Sequence, residues 1–209
     1  KTPLSILIAK ELRKNSLNPV IIKKYYKSHK DEHELIRNRN EKLILQKNRV
    51  NGIEEAESKR FDIAVLDDGF QDYTIRKNLN ILCFNTQQLV GNNFTFPSGP
   101  LRESLQSIKD SQIIVLNGEK NIEFEKKITS ISNKVNIYYS QYNPSNISLF
   151  KDKKIFAFAG IGNPDNFFQT LVENNIKLEK KLAFPDHYNF SKAEIQKMVD
   201  FSIRNNLKL

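Results

Sequence analysis

Val65-Leu66-Asp67-Asp68-Gly69-Phe70-Gln71 reads as the end of a β-strand followed at once by two adjacent carboxylates. Apart from Asp62, residues 61–66 are apolar and partly β-branched, as a buried parallel strand would be. Open α/β sheets bind ligands at the carboxyl ends of their strands. In phosphate-handling enzymes a carboxylate at that edge holds Mg²⁺. Asp-Gly is also ordinary turn chemistry, so the heptad by itself suits a solvated turn equally well.

The start of the sequence bears on that choice. Lys1-Thr2-Pro3 leads into Leu4, Ile8 and Leu12 at helical spacing. Pro3 fits a first helical turn, where its missing N–H costs nothing. Lys-Thr ahead of a helix is how the second half of a G-x-x-x-x-G-K-[ST] phosphate loop looks. A Lys for the β- and γ-phosphates, a hydroxyl for Mg²⁺ and a strand-end Asp form a working set. The chain is therefore expected to be a fragment, with the Gly-rich half of that loop upstream of Lys1.

At 209 residues the chain holds one large domain, or one domain and part of another. Hydrophobic residues at 39% and charged residues at 27% describe a globular protein rather than a disordered one. No apolar run approaches the length that spans a bilayer, and no secretory signal is visible. Cys83 stands alone in an apolar run and reads as a core thiol, not a nucleophile. His29, His33 and His187 have no Cys partners at zinc spacing. The absence of a disulfide pattern suits a reducing cytoplasm. The net charge of +9 implies an anionic partner or surface. No nucleic-acid motif accompanies it, whereas an anionic membrane or a phosphorylated lipid would fit. An Asn/Lys/Ile-rich composition from a biased genome would give the same balance.

Strands and helices alternate, which predicts a layered α/β fold. A short buried strand starts at Val20-Ile21-Ile22, and residues 23–40 look polar and irregular, with Asp31 and Glu32 in their middle. A weak strand at 43–45 and a helix at 53–59 lead to the strand at 61–66. Strands at 79–84 and 112–116 flank a long loop, 87–100, of the kind that is usually functional. A strand at 135–139 and a linker at 142–146 follow. The pattern restarts with a strand at 154–158, a loop at 160–164, a helix at 165–173 and a strand at 176–184. After a loop at 185–189, Ser191 caps a last helix with Glu194 three residues on, a capping box. Two domains are expected, 1–146 and a smaller one at 147–209.

Five segments also stand in a telling order: Asp67-Asp68-Gly69-Phe70-Gln71, Val90-Gly91-Asn92, Pro97-Ser98-Gly99-Pro100-Leu101-Arg102-Glu103, Phe158-Ala159-Gly160-Ile161-Gly162-Asn163-Pro164 and Phe184-Pro185-Asp186-His187. With Lys1-Thr2-Pro3 they make the chain resemble the tetraacyldisaccharide 4′-kinases, the lipid A 4′-kinases of Gram-negative bacteria, from residue 1 to about residue 191. The family's membrane-near first helix, the Gly-rich half of G-G-x-G-K-T-P and the closing T-E-K-D segment are not in this sequence.

The resemblance implies a P-loop NTPase-like layered sheet with a second, smaller α/β domain, and nucleotide between the two. It implies transfer of the γ-phosphate of ATP, with Mg²⁺, to the 4′-hydroxyl of a tetraacylated glucosamine disaccharide 1-phosphate, giving lipid IVA. The expected protein is a monomer that binds no nucleic acid. It would lie peripherally on the cytoplasmic face of the bacterial inner membrane, against its anionic surface. By the same resemblance Lys1 neutralises phosphates, Thr2 places its hydroxyl on Mg²⁺, and Asp67 and Asp68 hold the ion directly or through water. Gln71 and Arg102 join the nucleotide site, and Glu103 meets the ion shell or a sugar hydroxyl. Asp31 would accept the hydroxyl proton and His187 would orient it.

Plainer readings stand beside these. Asp31-Glu32 also suits a solvated charge cluster, His187 a surface histidine, and Arg102 and Glu103 an intramolecular ion pair. The turn at 160–164 suits either an anion site or a purely structural role. A P-loop enzyme acting on another small substrate, or a non-catalytic nucleotide-binding module, would share the core motifs. The chain departs from the family pattern at Lys23-Lys24-Tyr25-Tyr26 (for S-R-G-Y), His33 (for Pro), Asp72 (for His) and Asn85 (for Asp). Tyr25 replaces a glycine and takes left-handed dihedrals only at a cost, which bears on the geometry of the loop leading to Asp31 but not on the fold.

Overall fold

Val20, Ile21 and Ile22 are almost wholly buried, which marks β1 (Pro19–Lys24) as the centre of a sheet. A computed structural model describes residues 1–209 except Ser28 and Ser145, so part of the irregular stretch at 23–40 and of the linker at 142–146 lies outside the described residues. β1 pairs in parallel with β2 (Leu43–Gln46) and β3 (Ile63–Leu66), in the order β2-β1-β3. Side chains alternate across a strand, and the two faces of β1 collect different helices. Ile21 packs with Ala9 of α1 (Thr2–Lys14) and Ile36 of α2 (Lys30–Asn38). Val20 and Ile22 pack with Ile44 and with Ala56 of α3 (Arg49–Ser58). A Cβ on Gly52 would stand 2.6 Å from Ile22 Cγ2, so α3 approaches the strand as closely as only glycine permits.

Three expectations are corrected in this half. The strand at 61–66 is parallel but not buried on both faces, because β3 is the last strand in its sheet and Ala64 is exposed. Residues 23–40 are not irregular throughout: Lys23 and Lys24 extend β1, and α2 occupies 30–38. His33 and Ile36, three apart, supply the buried side of α2, while Asp31 and Glu32 in its first turn and Arg37 in its last match the helix dipole. α3 begins at Arg49 rather than near residue 53, because the Asn48 side chain accepts the Val50 N–H as a cap.

A second parallel sheet has the order β4 (Ile81–Asn85), β5 (Ile113–Asn117), β6 (Asn136–Ser140). Its core joins Ile114 and Leu116 of β5 to Phe124 and Ile128 of α4 (Ile122–Ile131). The sequence reading missed α4, although Phe124, Ile128 and Ile131 have helical spacing and Asn121 caps the Phe124 N–H. Past Glu103 only a short 3-10 helix forms, Leu105–Asp110, capped by Ser104.

The chain divides into two compact units, Lys1–Tyr142 and Asn143–Leu209. In the second, β7 (Lys154–Ala159) pairs in parallel with β8 (Lys177–Ala183), and α5 (Pro164–Glu173) and α6 (Lys192–Arg204) complete it. Ile155, Ala157, Phe168 and Ile176 form its core. The Ser191–Glu194 capping box is present in both of its hydrogen bonds.

Candidate active site

Because β1 and β3 run parallel, Lys23 and Asp67 come to the same carboxyl edge, where the first turn of α1 also begins. Asp67 is 1% exposed, so its charge must be matched by donors. Its Oδ2 accepts from Thr2 Oγ1 at 2.8 Å and from Lys23 Nζ at 2.7 Å, and its Oδ1 accepts from Ser5 Oγ at 3.3 Å. Lys23 is 6% exposed. Burial works against its charge, but its bonds to Asp67 and to Glu32 of α2 outweigh that and raise its pKa.

Asp68 faces the other way. The chain turns there in left-handed backbone, φ 57, which Asp tolerates better than most residues. Its side chain is 33% exposed, and its carboxylate is held by Lys1 Nζ at 2.6 Å and Arg102 Nη1 at 2.7 Å. Burial opposes its ionisation, but Lys1 and Arg102 together keep the carboxyl below the usual range. The turn is fixed from behind. Arg49 Nη2 donates to the Asp67 and Asp68 carbonyls at 3.1 and 2.8 Å, and Lys77 Nζ donates to those of Phe70 and Asp72 at 2.9 and 2.7 Å. A Cβ on Gly69 would lie 2.6 Å from Leu66 Cβ, so the turn closes tightly. Asp72, in place of the family's His, is held low by the Thr74 hydroxyl and by Arg49.

A cavity of about 570 Å³ opens over this edge, lined among others by Lys1, Thr2, Asp67, Asp68, Gln71 and Arg102. Six residues expected at the nucleotide and metal site thus line one cavity. Glu103 differs: its carboxylate accepts from the Tyr73 hydroxyl at 2.7 Å, and Tyr73 itself lines the cavity. The ion pair made by Arg102 is therefore with Asp68 across the site, not with its neighbour Glu103. Cys83 of β4 is partly buried, and burial pushes its thiol up, as expected of an unreactive cysteine.

Asp31 stands exposed in the first turn of α2, one residue before the Glu32 that reaches Lys23. Tyr25 is not among the described residues with positive φ, and its ring stacks on the buried His33 at 5.9 Å. His187 lies in the second unit, just past β8, in left-handed backbone at φ 55. Its N–H donates to Asp186 Oδ1 at 3.1 Å, and its Nε2 is 3.8 Å from Asp186 Oδ2. Asp31 and His187 belong to different units.

Among the described residues no three His, Cys, Asp or Glu side chains converge on one point. That donor set still fits Mg²⁺, which takes one or two hard oxygen ligands from the protein and the rest from phosphates and water. The Thr2 hydroxyl and the Asp67 carboxylate, 2.8 Å apart, are such a pair. Three functional neighbours escaped the sequence reading: Lys23, Arg49 and Lys77. Lys23 had a signal, since a charge directly continuing the apolar run Val20-Ile21-Ile22 calls for a buried partner. Arg49 and Lys77 act on backbone carbonyls, and no residue pattern announces that.

The sequence matches the family model described as tetraacyldisaccharide-1-P 4′-kinase over residues 1–208. It is 39% identical over 202 residues to the tetraacyldisaccharide 4′-kinase of Pelagibacter ubique, covering 95% of this chain and 64% of that protein. To the tetraacyldisaccharide 4′-kinase of Haemophilus influenzae it is 30% identical, covering 96% of this chain and 65% of the relative. The chain thus spans somewhat less than two thirds of the length of these curated relatives. Its fold is similar to the crystal structure of LpxK from Aquifex aeolicus in complex with ATP, with TM-score 0.66 at 21% identity. That match covers 91% of this chain and 68% of the solved one.

Proposed function

The chain belongs to the tetraacyldisaccharide-1-P 4′-kinase family, and from that premise we propose that the protein moves the γ-phosphate of ATP to the 4′-hydroxyl of a tetraacylated glucosamine disaccharide 1-phosphate. The product is lipid IVA. The observation that carries the reading is the pair of networks Thr2–Asp67–Lys23 and Lys1–Asp68–Arg102 at one sheet edge, under one cavity.

Phosphoryl transfer asks the protein for positioning and charge rather than covalent chemistry. Lys1 and Arg102, both partly exposed and sharing one carboxylate, turn to the β- and γ-phosphates. Gln71 contributes a side-chain amide to the same cavity. Thr2 and Asp67 are the residues that would hold Mg²⁺, with Asp68 beside them directly or through water. The ion, when bound, neutralises charge on the phosphate oxygens. Asp31 accepts the proton of the attacking hydroxyl and His187 supports that step. The protein works peripherally at an anionic membrane surface on the cytoplasmic side, a reading supported by its +9 charge. Among the described residues no helix is long and apolar enough to cross a membrane.

The test is to incubate the protein with γ-labelled ATP, Mg²⁺ and tetraacyldisaccharide 1-phosphate. Label should appear in a bisphosphorylated lipid whose new phosphate maps to the 4′ position by mass spectrometry and phosphorus NMR. Label in a soluble sugar alone, or release only as inorganic phosphate, would contradict the lipid substrate. ATP binding without any turnover would contradict the kinase itself.

A further inference from the structure

Lys23 is a buried cation with three partners, Asp67, Glu32 and Thr2, and the proposed phosphate chemistry gives it no role of its own. Its Nζ lies 2.7 Å from Asp67 Oδ2, 2.7 Å from Glu32 Oε2 and 3.5 Å from Thr2 Oγ1. An ammonium has three donors, so each partner takes one, from the turn after β3, from α2 and from α1 respectively. Glu32 is further approached by His29 Nδ1 at 3.7 Å. Within these ion pairs Lys1 and Arg102 face Asp68, and Lys23 faces Glu32 and Asp67, so each of the three carboxylates already has a protein cation beside it. Lys23 also falls in the segment where this chain departs from its family's S-R-G-Y.

We propose that Lys23 is a built-in counter-cation: its ammonium takes the same Asp67 oxygen that receives the Thr2 hydroxyl, and so makes divalent-metal binding conditional on nucleotide. A lone divalent ion would have to share Asp67 Oδ2 with a fixed positive charge, and at such distances like-charge repulsion is large. A metal arriving on a polyphosphate brings compensating negative charge and does not need to displace the ammonium. Lys1 and Arg102 can swing from Asp68 to the phosphates because their side chains are partly exposed. Lys23, at 8% side-chain exposure, stays in place.

The inference rests on Asp67 as the metal carboxylate and is tested by metal binding rather than by activity. Mn²⁺ titrated without nucleotide, with the unbound ion read by electron paramagnetic resonance, serves as the probe. Lys23→Gln keeps a hydrogen-bond donor toward Asp67, and Lys23→Arg keeps the charge. The wild-type protein should bind Mn²⁺ weakly, Lys23→Gln at least about tenfold more tightly, and Lys23→Arg like the wild type. Glu32→Gln should bind Mn²⁺ still more weakly than the wild type, because it removes a negative charge and leaves Lys23 to Asp67. Adding Asp67→Asn to Lys23→Gln should abolish the gain. Folding of each variant is followed by circular dichroism, and Glu32→Gln carries the test by itself if Lys23→Gln does not fold. Equal Mn²⁺ affinity in folded Lys23→Gln and wild type, or unchanged or tighter binding in Glu32→Gln, overturns the counter-cation role. If Mn²⁺ binds no variant at all, the metal reading of Asp67 falls with it. Kinase activity in the wild type beside equal Mn²⁺ affinities would leave the proposed function intact and sink Lys23 alone.

Discussion

Two turns that follow parallel strands, β3 into Asp68 and β8 into His187, both hold their candidate residue in left-handed backbone, at φ 57 and 55. Their surroundings differ. Asp68 is locked by two ion pairs, and the residue before it is buried among a hydroxyl and an ammonium. His187 sits in an aromatic loop, where Phe190 meets Phe158, Phe184 and Tyr188 edge-on with ring centres 5.2, 4.9 and 5.1 Å apart. Asp186 of the same loop brings its Oδ2 to 3.8 Å from the His187 Nε2. The first turn is shaped by charge and suits a polyanion with a metal. The second is shaped by ring packing and suits the holding of a single imidazole. Strain of order 1–3 kcal/mol is tolerated where its surroundings over-determine the backbone, and here two unlike devices achieve that.

The largest effect expected of this contrast lies in proton transfer. Asp31→Ala and His187→Ala should each lower kcat by about 10² to 10⁴, and the double variant should be little worse than the poorer single one. ATP affinity should barely change. Multiplicative losses in steady-state kinetics would separate the two roles, and a normal rate in His187→Ala would make the second turn merely structural.

Next come the paired carboxylates. Asp67→Asn and Asp68→Asn should each cut kcat by about 10² or more. Only Asp67→Asn should also lower Tm clearly, since it leaves the buried Lys23 short of a charge partner. Equal melting temperatures for the two variants would erase the distinction between buried and exposed carboxylate.

On the aromatic side, Phe190→Leu should cost the second unit about 1–3 kcal/mol in urea unfolding through its lost ring pairs. It should leave ATP binding in the first unit untouched. The smallest effect concerns acid. Glu194 is held down to about 2, chiefly by the Ser191 hydroxyl and then by the Tyr188 hydroxyl. Its folded pKa is depressed, so the stability it adds is present above the ordinary value of 4.5 and is lost as pH falls through about 2. The second unit's melting temperature should decline across that window, and Glu194→Gln should flatten the decline.

What the sequence disclosed follows from how far each residue's job depends on its neighbours in the chain. β1, β4, β5, β7 and the Ser191 cap were legible because apolar runs and capping pairs are local. α2 and α4 were missed because their buried sides are thin: His33 and Ile36 in one, Phe124 and Ile128 in the other. Six site residues were legible, some from the phosphate-loop pattern and the Asp-Asp turn and the rest through the family resemblance, and all six line one cavity. Lys23, Arg49 and Lys77 were not, because their partners are carboxylates and carbonyls 5 to 44 positions away. The stack of Tyr25, which stands where the family has a glycine, on His33 was not legible either, because it joins residues eight positions apart across a turn.

The central claim, that the end of β3 together with Thr2 holds the catalytic metal, is tested most directly by changing one ligand's softness. In Thr2→Cys a thiol replaces the hydroxyl at nearly the same position, and soft sulfur disfavours Mg²⁺ relative to Mn²⁺ or Cd²⁺. Phosphate transfer by the variant should fall at least about tenfold in Mg²⁺ and be restored in part by Cd²⁺ or Mn²⁺, while the wild type prefers Mg²⁺. A Thr2→Cys protein that keeps the wild-type rate in Mg²⁺, or that loses the same factor in every metal, would contradict it.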